Sequence, residues 1–503
     1  MASSPAAASI WALVERSAAL HPRGLAMASP HERLTWLQLK ARAEAIAALI
    51  DGSGLRPGDR ACIYLPSSPD WLASFLGLRR LGLTGVSIGN HARPAELAEL
   101  LAQFHVRLVI TDSASLPDAS SVCQEAGVEC LDITCAGTSP LPPAPAFAPP
   151  ALIHLTSGSS GTPKGVLRTE ADLLEEARNV AQALEFGPRD RVLCSTPVYH
   201  SFASGLLMAC LWSATPCLAM DRLSPATLLD LARREQATIV AGVPYVFQTL
   251  TSLHHANDAP MPPLRLGISG GAHLQPEIGT RFRERFGAPL VQEYGLSEAG
   301  IVSFNLDGHR PESVGRALPN VELRIVDPTD PSCELPAGTT GEVLVRRAFP
   351  PEGYLDHPDE SRDTFTPSGV RTGDLGYLDA EGCLTLTGRL KAMINVGGAK
   401  VAPREVEDVL LAHAALADAV VFGTPHRDLG EVVAAVVVHR DGASVSEPEL
   451  ITHCRERLSA YKVPAAVHVV ANLPRTASGK PDLPRIRETY SPGGSLERLE
   501  VSL

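Results

Sequence analysis

The sequence predicts an α/β fold, and three textures along its 503 residues predict it. The first half alternates short apolar runs with amphipathic helical patterns, as layered parallel sheets require. From about Val321 the apolar runs follow one another across Pro, Gly and Asp turns, which reads as an antiparallel barrel or sheet. After Gly388 comes a compact α+β pattern, long enough for a small separate domain. A chain of this length exceeds what one core holds, so at least two domains are expected.

Taken in order, ACIYLP (61–66), RLVITD (107–112) and RVLCSTP (191–197) are apolar runs of strand length. Between them DWLASFLGLRRLG and ADLLEEARNVAQALEF read as helices. In the second, Leu173, Leu174, Ala177, Val180, Ala181 and Leu184 recur at helical spacing, with Glu and Arg on the other face. The Pro-rich stretch SPLPPAPAFAPP (139–150) reads as a linker or surface crossing. TIVAGVP, LRLGISGGA and PLVQEYG are buried-strand patterns that run into Gly-rich turns, and open α/β sheets bind ligands at such ends. VELRIVD, GEVLVRR and CLTLTGR then follow without intervening helices. In the last part REVEDVLLAH is helical, DAVVFG and EVVAAVVVHR are strands, ELITHCRERLSAYK is helical and AVHVVANLP is a final strand. No internal repeat is visible.

Composition narrows the function. The apolar fraction of 45% is that of a globular protein. A formal net charge of −12 disfavours a nucleic-acid footprint, so an anionic ligand must be held by loop amides and single cations. Ten cysteines show no metal-ligand spacing, and contexts such as MACLW and TPCLAM suggest reduced core thiols and a cytoplasmic location. No segment is apolar for long enough to span a bilayer. The N-terminus lacks a basic region and carries Glu15 inside its apolar stretch, so no signal peptide is expected.

The most informative run is LTSGSSGTPKGV, from Leu155 to Val166. Between Thr156 and Gly165 it offers no apolar side chain for a core, but many backbone N–H groups, three serines, two threonines and the cation of Lys164. That is the chemistry needed to wrap a polyphosphate. It fails the P-loop pattern, because Lys164 follows Pro163 and precedes Gly165. Other polar clusters are weak taken singly. In QEYGLSE, Tyr294 fits stacking on a flat base and Glu298 fits Mg²⁺, yet a core-capping Tyr and a solvated Glu serve as well. Asp374 in RTGD sits at a turn, where Asp is common. Lys480 in PRTASGK is in a polar loop, and His200 in YHSFASG reads equally as a core residue.

In this order, LTSGSSGTPKGV, YHSFASG, SGGA (269–272), QEYGLSE, RTGD, GRLKAMINVGGAKVAPREVE (388–407) and PRTASGK resemble the adenylate-forming superfamily of acyl-CoA synthetases, aryl-CoA ligases, peptide-synthetase adenylation domains and firefly luciferase. The resemblance spans about residues 152–485. It implies a large N-terminal domain (1–388) of two α/β subdomains plus a β-barrel, and a small mobile α+β C-terminal domain (389–503) hinged near Lys391.

The resemblance also implies roles. Thr156, Ser157, Gly158, Ser159, Ser160, Gly161, Thr162 and Lys164 would embrace the β- and γ-phosphates of ATP. Gly270, Gly271 and Ala272 would line the adenine face, with Tyr294 stacked on it and Glu293 and Gly295 beside it. Ser297 and Glu298 would contact the α-phosphate and its Mg²⁺, and Asp374, supported by Arg389, the ribose. Lys480 would bridge the substrate carboxylate and the α-phosphate, where a cation stabilises developing charge. The implied reaction forms acyl-AMP and pyrophosphate and then transfers the acyl group to a thiol. Between the halves the small domain would swing about Lys391, bringing Gly397 and Gly398 to the pantetheine arm, with Lys400 among the polar residues nearby. Asn395 replaces the lysine of related plant aryl ligases, a departure.

The acid is less legible. The resemblance implies that domains taking α-amino acids carry an Asp just after the position of His200 to pair with the ammonium; SFASGLLMACLW has no carboxylate, which disfavours α-amino acids. Phe202, Val243, Phe247 and Ile301 are candidates for an apolar wall with His200 at its carboxylate end, and some are equally ordinary core. An aryl or a short-to-medium aliphatic acid fits such a wall, and Phe202 favours a ring. Glu293 stands where related aryl ligases have glycine, so it either receives a substituent of the acid or points away. Coenzyme A is the expected acceptor and a carrier protein's pantetheine arm the alternative. Two other classes share the motifs: a luciferase-like oxygenase and a non-catalytic nucleotide-binding module.

Overall fold

The fold comes from a computed structural model that describes residues 9–137, 139–143, 145, 150–156, 163–221, 224–252, 261–308, 310–476 and 479–491. The chain forms two compact units, Met1–Leu323 with Val345–Arg371, and Arg324–Leu344 with Thr372–Leu503. The strands Val321–Val326, Gly341–Arg347 and Gly369–Leu378 each contribute residues to both units, so the division falls at several points of the chain.

The first unit holds two sheets. One has six strands in the order Glu129–Asp132, Leu108–Thr111, Arg60–Ile63, Thr84–Ser87, Leu152–Thr156 and Lys164–Arg168. All its pairings are parallel except the last, an antiparallel hairpin. The other sheet has nine strands, with Val192–Cys194, Ile239–Gly242, Leu266–Ser269 and Leu290–Leu296 as parallel neighbours. Every residue of Leu108–Thr111, Ile239–Gly242 and Leu266–Ser269 is buried. Helices cover both faces of such strands, which is why they read as continuous apolar runs rather than alternating ones.

Helix Glu170–Ala183 starts where Thr169 accepts a hydrogen bond from the Asp172 N–H at 3.1 Å, an N-cap worth about 1 kcal/mol. Its inner face is not purely apolar: Asp172, Glu175, Glu176 and Asn179 are buried beside Leu173, Ala177 and Val180. These acids meet two buried arginines described below.

In the second unit, Leu416–His426 and Gly430–His439 form a long antiparallel pair, and Ala466–Val470 lies parallel to the latter. Val433, Ala435 and Val437 pack on one side with Val406, Leu410 and Leu450, while Ala434 and Val436 pack on the other with Phe422 and Ile486. The strand is apolar throughout because both its faces are covered.

One expectation changes and one further element is found. The stretch after Val321 does contain a helix, Pro358–Thr364, which buries none of its residues and therefore leaves no periodic apolar signal. Pro at its start and Asp359 and Glu360 in its first turn favour it locally. After Ala466–Val470 the chain also forms helix Leu483–Tyr490, capped by Asp482, whose Ile486 is buried. None of the ten cysteines is in a disulfide. Among the described residues no helix is long and apolar enough to cross a membrane.

Candidate active site

The two ends of the LTSGSSGTPKGV run lie on paired antiparallel strands, Leu152–Thr156 and Lys164–Arg168, with Thr156 opposite Lys164. Ser157, Gly158, Ser159, Ser160, Gly161 and Thr162 lie outside the described residues. The strand that begins with Lys164 is fixed at its far end by Arg168, which is fully buried and pairs with Asp172 and, at 2.6 Å, with Glu176. Arg347 pairs with the same Asp172 at 2.9 Å and with Glu175 at 3.5 Å. Burial raises the Glu175 carboxyl above its ordinary range despite Arg347. Glu176 also accepts the Ile301 N–H at 2.8 Å. This buried network therefore ties the Lys164 strand to strand Gly300–Phe304, just after Glu298.

The segment 352–355 lies along the same strand, with the Leu167 N–H donating to Gly353 O at 2.9 Å and the Leu355 N–H to Gly165 O at 2.8 Å. Tyr354 is thereby placed beside Lys164, whose Nζ is 5.2 Å from the ring centroid, within cation–π range. The Tyr354 hydroxyl donates to Glu298 Oε1 at 2.8 Å. Burial and then the Glu298 charge push the phenol well above its ordinary value, so it stays a donor. Lys164 Nζ is 3.3 Å from Glu360 Oε1. Its own backbone N–H and then Lys164 hold the Glu360 carboxyl below the ordinary range. Lys164 and Glu298, named from sequence, are thus brought together by Tyr354, which sequence reasoning missed along with Glu360. Their only sequence signal is a lone tyrosine and a glutamate in the stretch PPEGYLDHPDE.

At the strand ends of the nine-stranded sheet, the Gly270 N–H donates to Gly242 O at 3.0 Å. Glu293 is 4% exposed, and its carboxylate lies between Gly270 and Gly295. A Cβ on Gly270 would collide with Glu293 Oε2 and stand 2.8 Å from the Phe202 ring, and one on Gly295 would be 2.5 Å from Glu293 Oε1. Glycine at both positions makes room for that carboxylate. Tyr294 is 6% exposed on strand Leu290–Leu296, and Ser297 follows the strand. Gly271 has a left-handed φ of +75° at the turn before Ala272. His200 caps helix Ser201–Ser213 by position only, and its ring lies 4.7 Å from that of Tyr199. Neighbouring His154 is held neutral, well below the usual imidazole value, by burial, by Arg168 and by His200.

The four wall candidates separate. Phe202 packs against the core cluster that contains Ile301. Val243 and Phe247 belong to a different cluster, where Phe247 is fully buried and meets Phe282 edge-on at 5.4 Å.

The second unit carries the remaining candidates. Asp374 is 3% exposed and sits opposite Arg389 on paired strands, with Arg389 Nε donating to Asp374 Oδ1 at 2.6 Å. RTGD lies inside strand Gly369–Leu378 rather than at a turn, and it is braced by Thr372 Oγ1, which accepts the Asp374 N–H at 3.0 Å, and by Glu342, which accepts the Gly373 N–H at 3.2 Å. Lys391 lies in the single 3₁₀ turn Leu390–Ala392 that follows. Gly397 and Gly398 form the two-residue turn between Ile394–Val396 and Ala399–Val401, with φ of +56° and +93°. Such a turn demands left-handed residues, a structural reason for both glycines. Asn395 is opposite exposed Lys400 across this hairpin, and its N–H donates to Glu431 at 2.9 Å. Lys480 closes a small loop whose Thr476 N–H donates to Lys480 O at 2.8 Å. Among the described residues no group of three or more His, Cys, Asp or Glu could hold a metal ion. Glu298, with one oxygen anchored by Tyr354, is a hard oxygen donor suited to sharing Mg²⁺ with a nucleotide's phosphates.

Comparison with known proteins agrees with this layout. The family model described as AMP-binding enzyme matches residues 14–355, and that of the AMP-binding enzyme C-terminal domain matches 405–480. The probable CoA ligase CCL9 of Humulus lupulus is 31% identical over 494 residues, covering 93% of this chain and 94% of the relative. The sulfoacetate–CoA ligase of Cupriavidus necator is 33% identical over 469 residues, 89% of this chain and 91% of the relative. The crystal structure of ATP-bound MatB from Rhodopseudomonas palustris superposes with a TM-score of 0.88 at 27% identity, over 96% of this chain and 99% of that one. The chain belongs to the family of AMP-binding enzymes.

Proposed function

We propose that this chain activates a carboxylic acid with ATP as the acyl-adenylate, releasing pyrophosphate, and then transfers the acyl group to coenzyme A with release of AMP. The observation that carries the reading is the Lys164–Tyr354–Glu298 group, a cation and a carboxylate joined by one ring, with Lys164 paired opposite Thr156. Relatives named as CoA ligases match nearly the whole chain, which supports the thiol acceptor.

In this reading Lys164, Thr156 and the polar run between them in sequence hold the β- and γ-phosphates and stabilise the leaving pyrophosphate. Mg²⁺, when bound at Glu298, would neutralise phosphate charge as phosphorus is attacked. Tyr354 orients Glu298 by its hydrogen bond. Tyr294, with Gly270, Gly271 and Ala272, receives adenine, and Asp374 accepts both ribose hydroxyls while Arg389 holds its carboxylate. His200 stands at the carboxylate end of the acid pocket, and Phe202 with Ile301 supplies an apolar wall suited to an aryl or short-to-medium acid. Lys480 bridges the acid's carboxylate and the α-phosphate during adenylation. The C-terminal domain then turns about Lys391, presenting the Gly397–Gly398 turn to the pantetheine arm in place of Lys480.

The test is acid-dependent ATP–pyrophosphate exchange over a panel of ferulate, benzoate, hexanoate, sulfoacetate and phenylalanine, followed by thioester assay with coenzyme A. Exchange without thioester would remove the second half of the reading, and absence of exchange with every acid the first. Lys480→Ala is expected to abolish exchange while thioester formation from supplied acyl-AMP largely survives.

A further inference from the structure

The loop that carries Lys480 is clamped by a side chain with no role assigned so far. Arg475 donates from Nη1 to Gly479 O at 2.8 Å, directly before Lys480, and pairs through Nη2 with Asp418. Both side chains are only about one-fifth exposed, at 20% and 21%. Asp418 is itself fixed: it sits where strand Leu416–His426 shifts register against Gly430–His439, and its Oδ1 accepts the Ala419 N–H at 2.9 Å. The backbone completes the clamp. Arg475 bridges Pro481, the Gly479 N–H donates to Thr476 O at 2.9 Å, and the Asp482 N–H donates to Pro474 O at 2.9 Å. Gly479, immediately before the lysine, has a φ of +83°, a left-handed backbone that glycine adopts without strain. A planar guanidinium fork serves a carboxylate and a carbonyl at once, which an ammonium does less well.

We infer that Arg475, anchored on Asp418, is a positioning residue for adenylation: it sets the backbone from which Lys480 reaches the reacting groups. The inference rests on the reading of Lys480 as the adenylation cation. Removing the clamp leaves Lys480 chemically intact but loosely aimed, and displacement of a reacting group by about 1 Å costs on the order of 100-fold in rate. The second half-reaction, in which Lys480 takes no part, is untouched.

The experiment uses the full chain with the panel acid that gives the fastest exchange. Arg475→Ala is expected to lower kcat of ATP–pyrophosphate exchange about 10- to 100-fold with KM for ATP nearly unchanged. Thioester formation from supplied acyl-AMP should stay within about threefold, and Arg475→Lys should recover part of the loss. Asp418→Asn, which keeps side-chain shape, should show the same one-sided loss at smaller size and serves if Arg475→Ala does not fold. Equal loss in both half-reactions, or no loss in exchange, overturns the inference. Lys480→Ala is run alongside: if it leaves exchange intact, the reading of Lys480 fails first, whereas its loss of exchange beside an unaffected Arg475→Ala refutes the clamp alone.

Discussion

Replacing Tyr354 with Phe isolates one hydroxyl. The ring stays, so its 5.2 Å approach to Lys164 Nζ and its edge-on contact with Phe365, also at 5.2 Å, are retained. What goes is the 2.8 Å hydrogen bond to Glu298 Oε1. A hydrogen bond to a charged group contributes about 1.5–3 kcal/mol, and Glu298 is only partly buried, so water replaces some of it. The lower end, about 1.5 kcal/mol, corresponds to roughly tenfold in rate or affinity. That matches the 10- to 100-fold losses typical when a group orienting a metal ligand is removed. The assay is ATP–pyrophosphate exchange titrated with Mg²⁺ for wild type, Tyr354→Phe and Glu298→Gln. Tyr354→Phe should need about tenfold more Mg²⁺ for half-maximal rate and approach wild type at saturation. Thioester formation from supplied acyl-AMP should change little. An unaltered Mg²⁺ titration for Tyr354→Phe would refute the orienting role, and one for Glu298→Gln would remove Glu298 as the Mg²⁺ ligand.

Further outcomes follow from the same geometry. Glu293→Gly should redistribute relative exchange rates across the acid panel, because its carboxylate lies beside Phe202 between two glycines; a uniform change across all acids would mean it does not face the acid. Gly270→Ala should impair exchange with every acid, since its Cβ must displace Glu293 or the Phe202 ring; wild-type rates would contradict the packing. Arg168→Met should destabilise the chain by about 3–5 kcal/mol in urea unfolding, because it leaves Asp172 and Glu176 buried with one cation fewer; a change within error would show the network to be dispensable. Glu407 accepts the Val421 N–H, yet burial pushes its carboxyl up to about 7 from 4.5. A raised carboxyl favours the folded state most at low pH and loses that contribution as pH rises through 7. Stability should therefore fall by about 2 kcal/mol from pH 5 to 8.5, discounted for partial exposure, and Glu407→Gln should flatten the profile. Parallel profiles for the two proteins would exclude Glu407 as the cause.

Much of the core was legible because burial on both faces leaves an unambiguous mark. TIVAGVP and LRLGISGGA became the fully buried strands Ile239–Gly242 and Leu266–Ser269. Of the polar glycyl run before Lys164 the described residues show only the two ends, with Thr156 paired opposite Lys164. Tyr354 was not legible, because it meets Glu298 across 56 residues only through the register of segment 352–355 along the Lys164 strand. No local pattern encodes that pairing. The helices Pro358–Thr364 and Leu483–Tyr490 were hidden by shortness and by burying at most one residue each. Composition also leaves core and pocket alike: Phe247 and Phe202 have the same chemistry, but Phe247 lies fully buried against Phe282 while Phe202 stays partly open beside Gly270.

The Lys164–Glu360 pair means that this lysine already has a resident carboxylate 3.3 Å away. On the proposed reading, a polyphosphate reaching Lys164 would have to displace that carboxylate, and the near-double charge of a phosphate outweighs the single charge it replaces. The exchange would also run backwards: as pyrophosphate left, Glu360 would recapture the lysine, and the product would leave a cation already occupied.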